Sequence, residues 1–149
     1  MQITRASEYA IRGVLDLCMQ PKGAVCLLNE ISQRQNVPPS FLSKIFQSLA
    51  RAGIVSSSRG TGGGFSLMKA PEDITLLDVL EAIEGRIALN VCLSNGEVCE
   101  NRPVCPVHDV WREAQVQMFA LLRKHSFGEL AQSSRMRRDE AAREPQPSD

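Results

Sequence analysis

The sequence of 149 residues lacks any apolar segment near the roughly 20 residues that a membrane-spanning helix requires. It also lacks an N-terminal secretory signal, and its five cysteines are an odd number that cannot all pair as disulfides. Because 43% of the residues are hydrophobic, the chain can fill a core without covalent cross-links. Cys18 and Cys26 lie in apolar surroundings and are interpreted as core residues. These features predict a soluble, cytoplasmic protein with no membrane partner.

The sequence also has little that indicates an enzyme. It shows no pairing of a nucleophile with a general base, and His125 suits the end of a helix better than a catalytic role. The glycine-rich run Gly60–Gly64 has no Gly-Lys-Ser/Thr ending, and it joins two predicted strands rather than a strand and a helix. We therefore predict neither catalysis nor a nucleotide-binding loop.

Formal charge is zero overall, but it is unevenly distributed along the chain. Residues 1–71 contain 8 Lys and Arg against 3 Asp and Glu, whereas residues 72–149 contain 9 against 14. No acidic residue occurs between Ser32 and Pro71. The basic residues of that segment are Arg34, Lys44, Arg51, Arg59 and Lys69. Such a segment is either a solvated face or the kind of surface that a phosphate backbone requires.

The hydrophobic periodicity of residues 1–85 predicts a winged helix-turn-helix within a mainly α fold. A first helix begins after Thr4, a short second helix spans residues 28–35, and a third helix begins at Pro39. Two strands around the glycine run then form a wing, and a fourth helix ends at Gly85. The third helix has one apolar face, formed by Leu42, Ile45, Phe46 and Leu49.

The outer face of the third helix is polar and free of acids, which suits a helix that lies in the major groove of DNA. Arg51 and Lys69 would contact phosphates, while Arg59 near the wing tip would suit the narrower minor groove. The predicted DNA-binding residues are Ser40, Ser43, Lys44, Gln47, Arg51, Arg59 and Thr61.

A longer helix from His108 to Lys124 carries an apolar stripe that one small domain cannot cover. The stripe consists of Trp111, Ala114, Met118, Leu121 and Leu122, with Val110 and Phe119 at its edges. Because a two-fold dimer covers such a surface symmetrically, we predict a homodimer formed by residues 108–134, which end in a short terminal helix. Residues 135–149 are polar and contain proline, and they are predicted to be disordered.

Three cysteines and a histidine are concentrated between these two parts of the chain. Cys92, Cys99, Cys105 and His108 follow the spacing Cys-x6-Cys-x5-Cys-x2-His, across a predicted loop over residues 86–107 and the start of the next helix. Thiolate and imidazole donors suit zinc or the iron of an iron–sulfur cluster much better than magnesium or calcium. The spacing therefore indicates a metal centre, and the donors alone leave zinc and iron–sulfur open.

Four stretches of the sequence form a specific combination. They are Tyr9-Ala10-Ile11-Arg12, Leu42-Ser43-Lys44-Ile45-Phe46, the wing from Val55 to Phe65, and Cys105-Pro106-Val107-His108-Asp109-Val110-Trp111-Arg112. Over about residues 1–132 the chain resembles the IscR/NsrR-type family of winged-helix iron–sulfur transcription regulators. The resemblance implies a homodimer that binds promoter DNA, with a long helix crossing to the partner and a cluster near the dimer interface that tunes DNA affinity or sequence choice.

The resemblance also implies a set of cluster ligands. Cys92, Cys99 and Cys105 match the three cluster thiolates of the family, and His108 matches the histidine ligand of IscR, for which a [2Fe–2S] cluster is favoured. NsrR-type relatives use a carboxylate near the amino end of the partner subunit instead. Glu8 corresponds to that carboxylate and is the alternative fourth ligand, with a [4Fe–4S] cluster.

Two features depart from IscR. The first spacing between cysteines is one residue longer than in IscR, which leaves the cluster type open. Ser43 stands where IscR has a glutamate associated with discrimination between types of DNA site. The resemblance therefore implies that a cluster controls DNA binding. It does not extend to a cluster-controlled switch of sequence preference, because Ser43 replaces the glutamate.

Three hypotheses remain at the level of the sequence. The first is a transcription regulator whose iron–sulfur cluster senses cluster status, redox state or nitric oxide. The second is a cluster-bearing redox protein, in which the wing and the basic segment would have no role. The third is a zinc-stabilised DNA-binding regulator without sensing.

Overall fold

The computed structural model describes residues 3–94 and 99–143, which form a mainly helical fold with one small sheet. In chain order the regular elements are α1 (Arg5–Met19), α2 (Leu28–Gln35), α3 (Pro39–Arg51), β1 (Val55–Ser58), β2 (Gly64–Leu67), α4 (Leu76–Glu84), α5 (Pro106–Lys124) and α6 (Phe127–Arg143). Short 3₁₀ turns occur at Pro71–Asp73, Val91–Leu93 and Arg102–Val104. The winged helix-turn-helix with a two-stranded wing is confirmed. None of the helices in these two ranges is long and apolar enough to cross a membrane.

Helix α3 packs directly against α1, which turns its polar face outward. Gly13 is a point of close approach, because a Cβ atom there would lie 2.7 Å from the Phe46 ring. Leu42, Phe46 and Leu49 of α3 are fully buried in the core. Burial of each such side chain contributes about 1.5–3 kcal/mol, so the apolar face determines how α3 is oriented.

The wing is an antiparallel hairpin in which Ser58 of β1 lies opposite Gly64 of β2. It is joined to the helical body through Cys26, which exchanges backbone hydrogen bonds of 2.9 and 2.8 Å with Phe65. This connection is an isolated antiparallel bridge between Cys26 and Phe65. Gly64 lies so close to the Cys26 carbonyl that a Cβ atom would clash, so this position requires glycine.

A buried carboxylate joins α1 to α2. Asp16 is only 3% exposed, and the guanidinium of Arg34 donates to both of its oxygens, with 2.7 Å from Nη2 to Oδ2. The side-chain amide of Gln35 donates a further bond of 2.9 Å to Oδ1. The basic segment thus includes one residue, Arg34, whose charge is paired with a buried carboxylate although its side chain is 38% exposed.

Arg34→Ala is expected to lower the free energy of unfolding by about 2–4 kcal/mol, because it leaves a buried carboxylate with one neutral donor. Urea denaturation at pH 7 measures the change. Lys44→Ala removes an exposed charge from the same segment and should change stability by less than about 0.5 kcal/mol. Equal effects of the two substitutions would show that the Asp16–Arg34 pair has no special structural role.

Helix α6 differs most from the sequence prediction. It is a 17-residue helix, Phe127–Arg143, whereas disorder was expected from residue 135 onward. Its first turns are buried against α1, and the Arg135 guanidinium donates a hydrogen bond of 3.1 Å to the Cys18 carbonyl oxygen. This anchoring extends the helix through the polar segment. Residues 144–149, the rest of the expected tail, lie outside the described residues.

Helix α5 begins at Pro106, two residues before the expected start at His108. Proline suits this first position because its missing N–H has no partner within a helix. The expected loop over residues 86–107 therefore ends at Cys105. It contains two of the 3₁₀ turns, and residues 95–98 within it lie outside the described part of the chain.

Candidate functional site

The outer face of α3 is polar and accessible to a large partner. Ser40, Lys44, Gln47 and Arg51 are exposed and Ser43 is half-buried. The Arg51 guanidinium lies over the last turn of α3, with Nε 3.4 Å from the Gln47 carbonyl oxygen and Nη2 3.4 Å from Ser48 Oγ. Because α3 contains no acidic residue, this face presents hydrogen-bond groups and positive charge without a repelling carboxylate.

An exposed aromatic residue lies beside this polar face and was missed at the sequence level. Phe41, in the first turn of α3, is 58% exposed. Its ring meets Tyr9 of α1 edge to face, with the ring centroids 6.5 Å apart. The sequence did contain a signal for this residue, because Phe41 does not lie on the apolar face of α3. A residue at such a position is normally polar unless it packs against another part of the protein or a partner.

The wing tip presents Arg59 and Thr61, both exposed. Gly60 and Gly62 have φ angles of 94° and 82°, in the region that favours glycine. The N–H of Gly63 donates to the Gly60 carbonyl oxygen at 2.9 Å and closes the turn. The two polar side chains therefore extend from a tight, hydrogen-bonded tip.

Three of the four expected metal ligands lie on α5 or in a turn packed against it. Cys105 is the N-cap residue of α5, and the N–H of His108 bonds to the Cys105 carbonyl oxygen at 3.3 Å. The 3₁₀ turn that carries Cys92 contacts α5. Just before that turn, the N–H of Leu89 donates a bond of 2.9 Å to Gln115 Oε1. Gln115 follows His108 by seven residues, so both project from the same face of α5.

The chemistry of these residues fits a metal centre, although their arrangement is not that of a closed site. The thiols of Cys92, Cys99 and Cys105 are free and half-buried. Across residues 3–94 and 99–143, no three His, Cys, Asp or Glu side chains lie close enough together to hold a metal ion. Nδ1 of His108 is buried and has no hydrogen-bond partner among the described residues, so it is a donor that a metal centre would satisfy.

The alternative ligand Glu8 is exposed in the first turn of α1. Within the described residues it is not close enough to two other His, Cys, Asp or Glu side chains to form a metal site. The neighbouring turn binds a different carboxylate. Glu84, the last residue of α4, accepts hydrogen bonds of 2.5 Å from both Ser7 Oγ and Thr4 Oγ1. These bonds lower the pKa of the Glu84 carboxyl below its ordinary value, with the Ser7 hydroxyl as the largest cause. The start of α1 is thereby joined to the end of α4, just before the cysteine-bearing segment.

Glu84→Gln is expected to lower the free energy of unfolding at pH 7 by about 1 kcal/mol, a modest value because Glu84 is exposed. A depressed folded-state pKa contributes stability above the unfolded-state pKa, and this contribution is lost as pH falls through the folded-state pKa. The difference between the two proteins should therefore shrink in acid. Urea titrations over a pH series measure it, and a difference that did not change with pH would contradict the role of the Glu84 charge.

Among the described residues, helix α5 is covered by the rest of the chain on one side. There, Met118, Phe119 and Leu122 pack against a small cluster formed by Leu77, Leu80 and Ile87. Met118 and Leu122 were expected on the dimer-facing stripe, but they contact the helical body of the same chain. The apolar stripe predicted from the sequence therefore divides between two faces of α5.

The second face of α5 is apolar and accessible. Val107, Val110 and Leu121 are 50%, 64% and 58% exposed, and their spacing places them on one side of the helix. We call these three residues the exposed stripe. Trp111 is 38% exposed, and its spacing places it on the same side of the helix as Met118 and Leu122. Exposed apolar side chains on one side of a helix are a candidate interaction surface.

A winged helix-turn-helix with an acid-free outer helix face and a glycine-tipped wing defines a class of protein, the DNA-binding transcription regulators. Residues 3–133 match the Rrf2 family, described as an iron-dependent transcriptional regulator. The chain belongs to the Rrf2 family of transcriptional regulators, and it is not an enzyme. This membership confirms the resemblance noted from the sequence and argues against the redox-protein hypothesis.

Named relatives agree with this assignment. The chain is 32% identical over 130 residues to the HTH-type transcriptional regulator IscR of Aliivibrio salmonicida, covering 87% of this chain and 77% of that one. It is 31% identical over 130 residues to the Escherichia coli regulator of the same name, covering 87% and 80%. A solved structure titled T. potens IscR has the same fold, with a TM-score of 0.71, 20% identity and coverage of 98% and 93%.

Proposed function

We propose that the protein is a homodimeric regulator that binds promoter DNA through α3 and the wing, and that an iron–sulfur cluster controls this binding. Cys92, Cys99 and Cys105 would supply thiolates and His108 the fourth ligand, with a [2Fe–2S] cluster favoured. As a promoter-binding protein, it would act in the cytoplasm. The observation that carries the proposal is the occurrence, in one chain, of an acid-free helix face with a wing and of a Cys₃His donor set at the start of α5.

The DNA-binding part of the proposal is supported by shape and charge. Helix α3 presents Ser40, Ser43, Lys44 and Gln47 on one outer face, where they would contact base edges in the major groove. Arg51, over the last turn of the helix, would contact a phosphate. Arg59 and Thr61 at the wing tip would approach the neighbouring minor groove, where Arg is favoured.

The dimer is supported by the exposed stripe of α5. A two-fold arrangement would bring Val107, Val110 and Leu121 of one subunit against the same surface of its partner. It would also bring two copies of α3 to one DNA molecule, as half-sites separated by a helical turn require. Because Cys105 is the N-cap residue of α5, a cluster bound there would lie next to the dimer interface.

The cluster is supported by donor chemistry and by Nδ1 of His108, a buried atom with no hydrogen-bond partner among residues 3–94 and 99–143. Three thiolates and one imidazole carry less negative charge than four thiolates, so a bound cluster would have a raised reduction potential. An imidazole ligand can also be protonated and released, which suits a sensor. The competing proposal places Glu8 of the partner subunit in the fourth position, with a [4Fe–4S] cluster.

Zinc is the second candidate for this centre, because it accepts the same four donors. Under that alternative the protein would still bind DNA but would have no redox sensor. The visible spectrum of anaerobically purified protein separates the two, since zinc is colourless and iron–sulfur clusters absorb visible light.

Arg59→Ala is expected to weaken binding to a cognate promoter by about 5- to 150-fold, equivalent to about 1–3 kcal/mol for a well-placed contact. A salt-matched fluorescence anisotropy titration measures the affinity. Lys124→Ala, which removes an exposed charge at the end of α5, is the control and should have little effect. An unchanged affinity of the Arg59 variant would contradict the assignment of the wing to DNA.

A further inference from the structure

A charged cleft lies on the body of the protein, between the end of α1, the strand leaving the wing, the turn at Pro71–Asp73, and α6. Its volume is about 590 Å³, within the range of about 300–1,000 Å³ that is usual for small-molecule sites. It involves neither the outer face of α3 nor the cysteine-bearing segment. Apart from Lys69, for which the sequence predicted a phosphate contact, the DNA-binding and cluster proposals leave its lining without a role.

The charges around this cleft are mainly positive. Lys22 lies in the turn after α1, Lys69 follows β2, and Arg135 projects from α6, while Glu72 is the single carboxylate among the lining residues. Burial raises the pKa of the Cys18 thiol to about 12, so this lining group is neutral. The net formal charge of the lining is therefore +2, enough to attract a ligand with two negative groups.

Two of these charged groups are held by the fold. The Arg135 guanidinium donates to the Cys18 carbonyl oxygen at 3.1 Å, which holds it at the end of α1. The Glu72 side chain lies against α6, where its Oε1 is 3.1 Å from the position that a Cβ atom on Gly128 would occupy. Of the three cations, Arg135 is therefore positioned without a ligand, whereas Lys22 and Lys69 are exposed and would be ordered on binding.

The remaining lining offers apolar contact. Leu17, Pro21, Leu67 and Pro71 contribute to the walls of the cleft. A small ligand with a short carbon skeleton could therefore bury apolar atoms while its ends met the cations. This combination of a partly apolar pocket and a few placed charges is typical of metabolite sites.

We propose that this cleft binds a small organic dianion, with carboxylate or phosphate groups that meet Lys22, Lys69 and Arg135. The ligand would connect α1, the base of the wing and α6. Since Lys69 lies two residues after the wing strand β2, occupancy would couple to the position of the wing. The site would thus give the regulator a second input, independent of the cysteine and histidine residues.

The proposal is tested on the full-length wild-type protein by thermal unfolding and isothermal titration calorimetry. The probes are citrate, succinate and inorganic phosphate, compared with chloride at equal ionic strength. At about ten times its dissociation constant, a bound probe should raise the Tm by about 3 °C or more. Stronger stabilisation by citrate and succinate would show that the cleft recognises carboxylate groups. Stronger stabilisation by phosphate would show that it recognises phosphate groups.

The variant Lys22→Gln with Lys69→Gln should lose at least tenfold in affinity for the active probe. The control Lys124→Gln with Arg143→Gln removes the same charge from positions outside the cleft and should bind normally. Either an absence of ion-specific stabilisation or equal binding by both double variants would overturn the proposal. Loss of DNA affinity in the cleft variant, with no probe binding by the wild type, would also overturn it and assign the two lysines to the phosphate backbone.

Discussion

The variant Val110→Glu with Leu121→Glu is expected to separate the protein into monomers and to weaken binding to a two-half-site promoter by about 100-fold or more. Both side chains belong to the exposed stripe, at 64% and 58% exposure, so the substitutions should cost little within one subunit. In a dimer they would place carboxylates in an apolar interface without partners. Loss of the dimer removes the gain of about 10²–10⁴ that joint binding of two half-sites provides.

Sedimentation velocity measures the assembly state, and a DNA titration at fixed salt measures the affinity. The control is Arg112→Gln with Val116→Glu, which changes the formal charge by the same amount on the opposite side of α5. A dimer that persisted in the stripe variant would place the interface elsewhere. Conversely, dissociation of the control would show that the effect comes from charge alone.

The choice of Val110 and Leu121 for this experiment depends on the tertiary structure. Met118→Glu with Leu122→Glu would follow equally well from the helical periodicity of α5. However, Met118 and Leu122 pack against Leu77, Leu80 and Ile87 of their own subunit. Their replacement should therefore destabilise the subunit itself, and a loss of dimer could not be attributed to the interface.

Cys92→Ala, Cys99→Ala and Cys105→Ala are each expected to abolish the visible absorption of the anaerobically purified protein and its iron content. Removal of a thiolate ligand leaves the cluster without one of its strongest bonds. The matched controls are Cys18→Ala and Cys26→Ala, which remove thiols that are 5% exposed and lie in the hydrophobic core. Although these two variants should be less stable, their absorption per folded protein should be unchanged.

The fourth ligand is distinguished by His108→Ala and Glu8→Ala. We expect the histidine variant to change the visible and resonance Raman spectra and the glutamate variant to leave them unchanged. The opposite result would replace His108 by Glu8 as ligand and favour a [4Fe–4S] cluster. Colourless protein that contains zinc would instead establish the zinc-stabilised alternative.

Much of the DNA-binding half could be predicted because its signals are local. Leu28 to Gln35 and the start at Pro39 agree with the observed bounds of α2 and α3, and Gly53 follows α3 with a φ of 72°. At the start of α4, Thr75 and Asp78 exchange the hydrogen bonds of a capping box. Each of these features depends on residues within a few positions of one another, so the order of residues alone contains the information.

Other features depended on contacts between distant parts of the chain. Arg34 looked like its basic neighbours until Asp16, 18 residues away, was found to bind it. Polar composition favoured disorder beyond residue 135, whereas packing of α6 against α1 and the bond from Arg135 to Cys18 extend the helix. In both cases the prediction came from local composition. One contact with a distant residue changed the outcome.

The sequence by itself determined the class of fold, the acid-free face of α3, and the set of thiols and imidazole that indicates a metal centre. Only the tertiary structure decided which charges pair internally, which side of α5 is covered, and that Lys22, Lys69 and Arg135 line a common cleft. The physical reason is the range of the interactions. Periodicity, capping and turn preferences act over a few residues, whereas burial and charge pairing depend on which distant elements the hydrophobic core brings together.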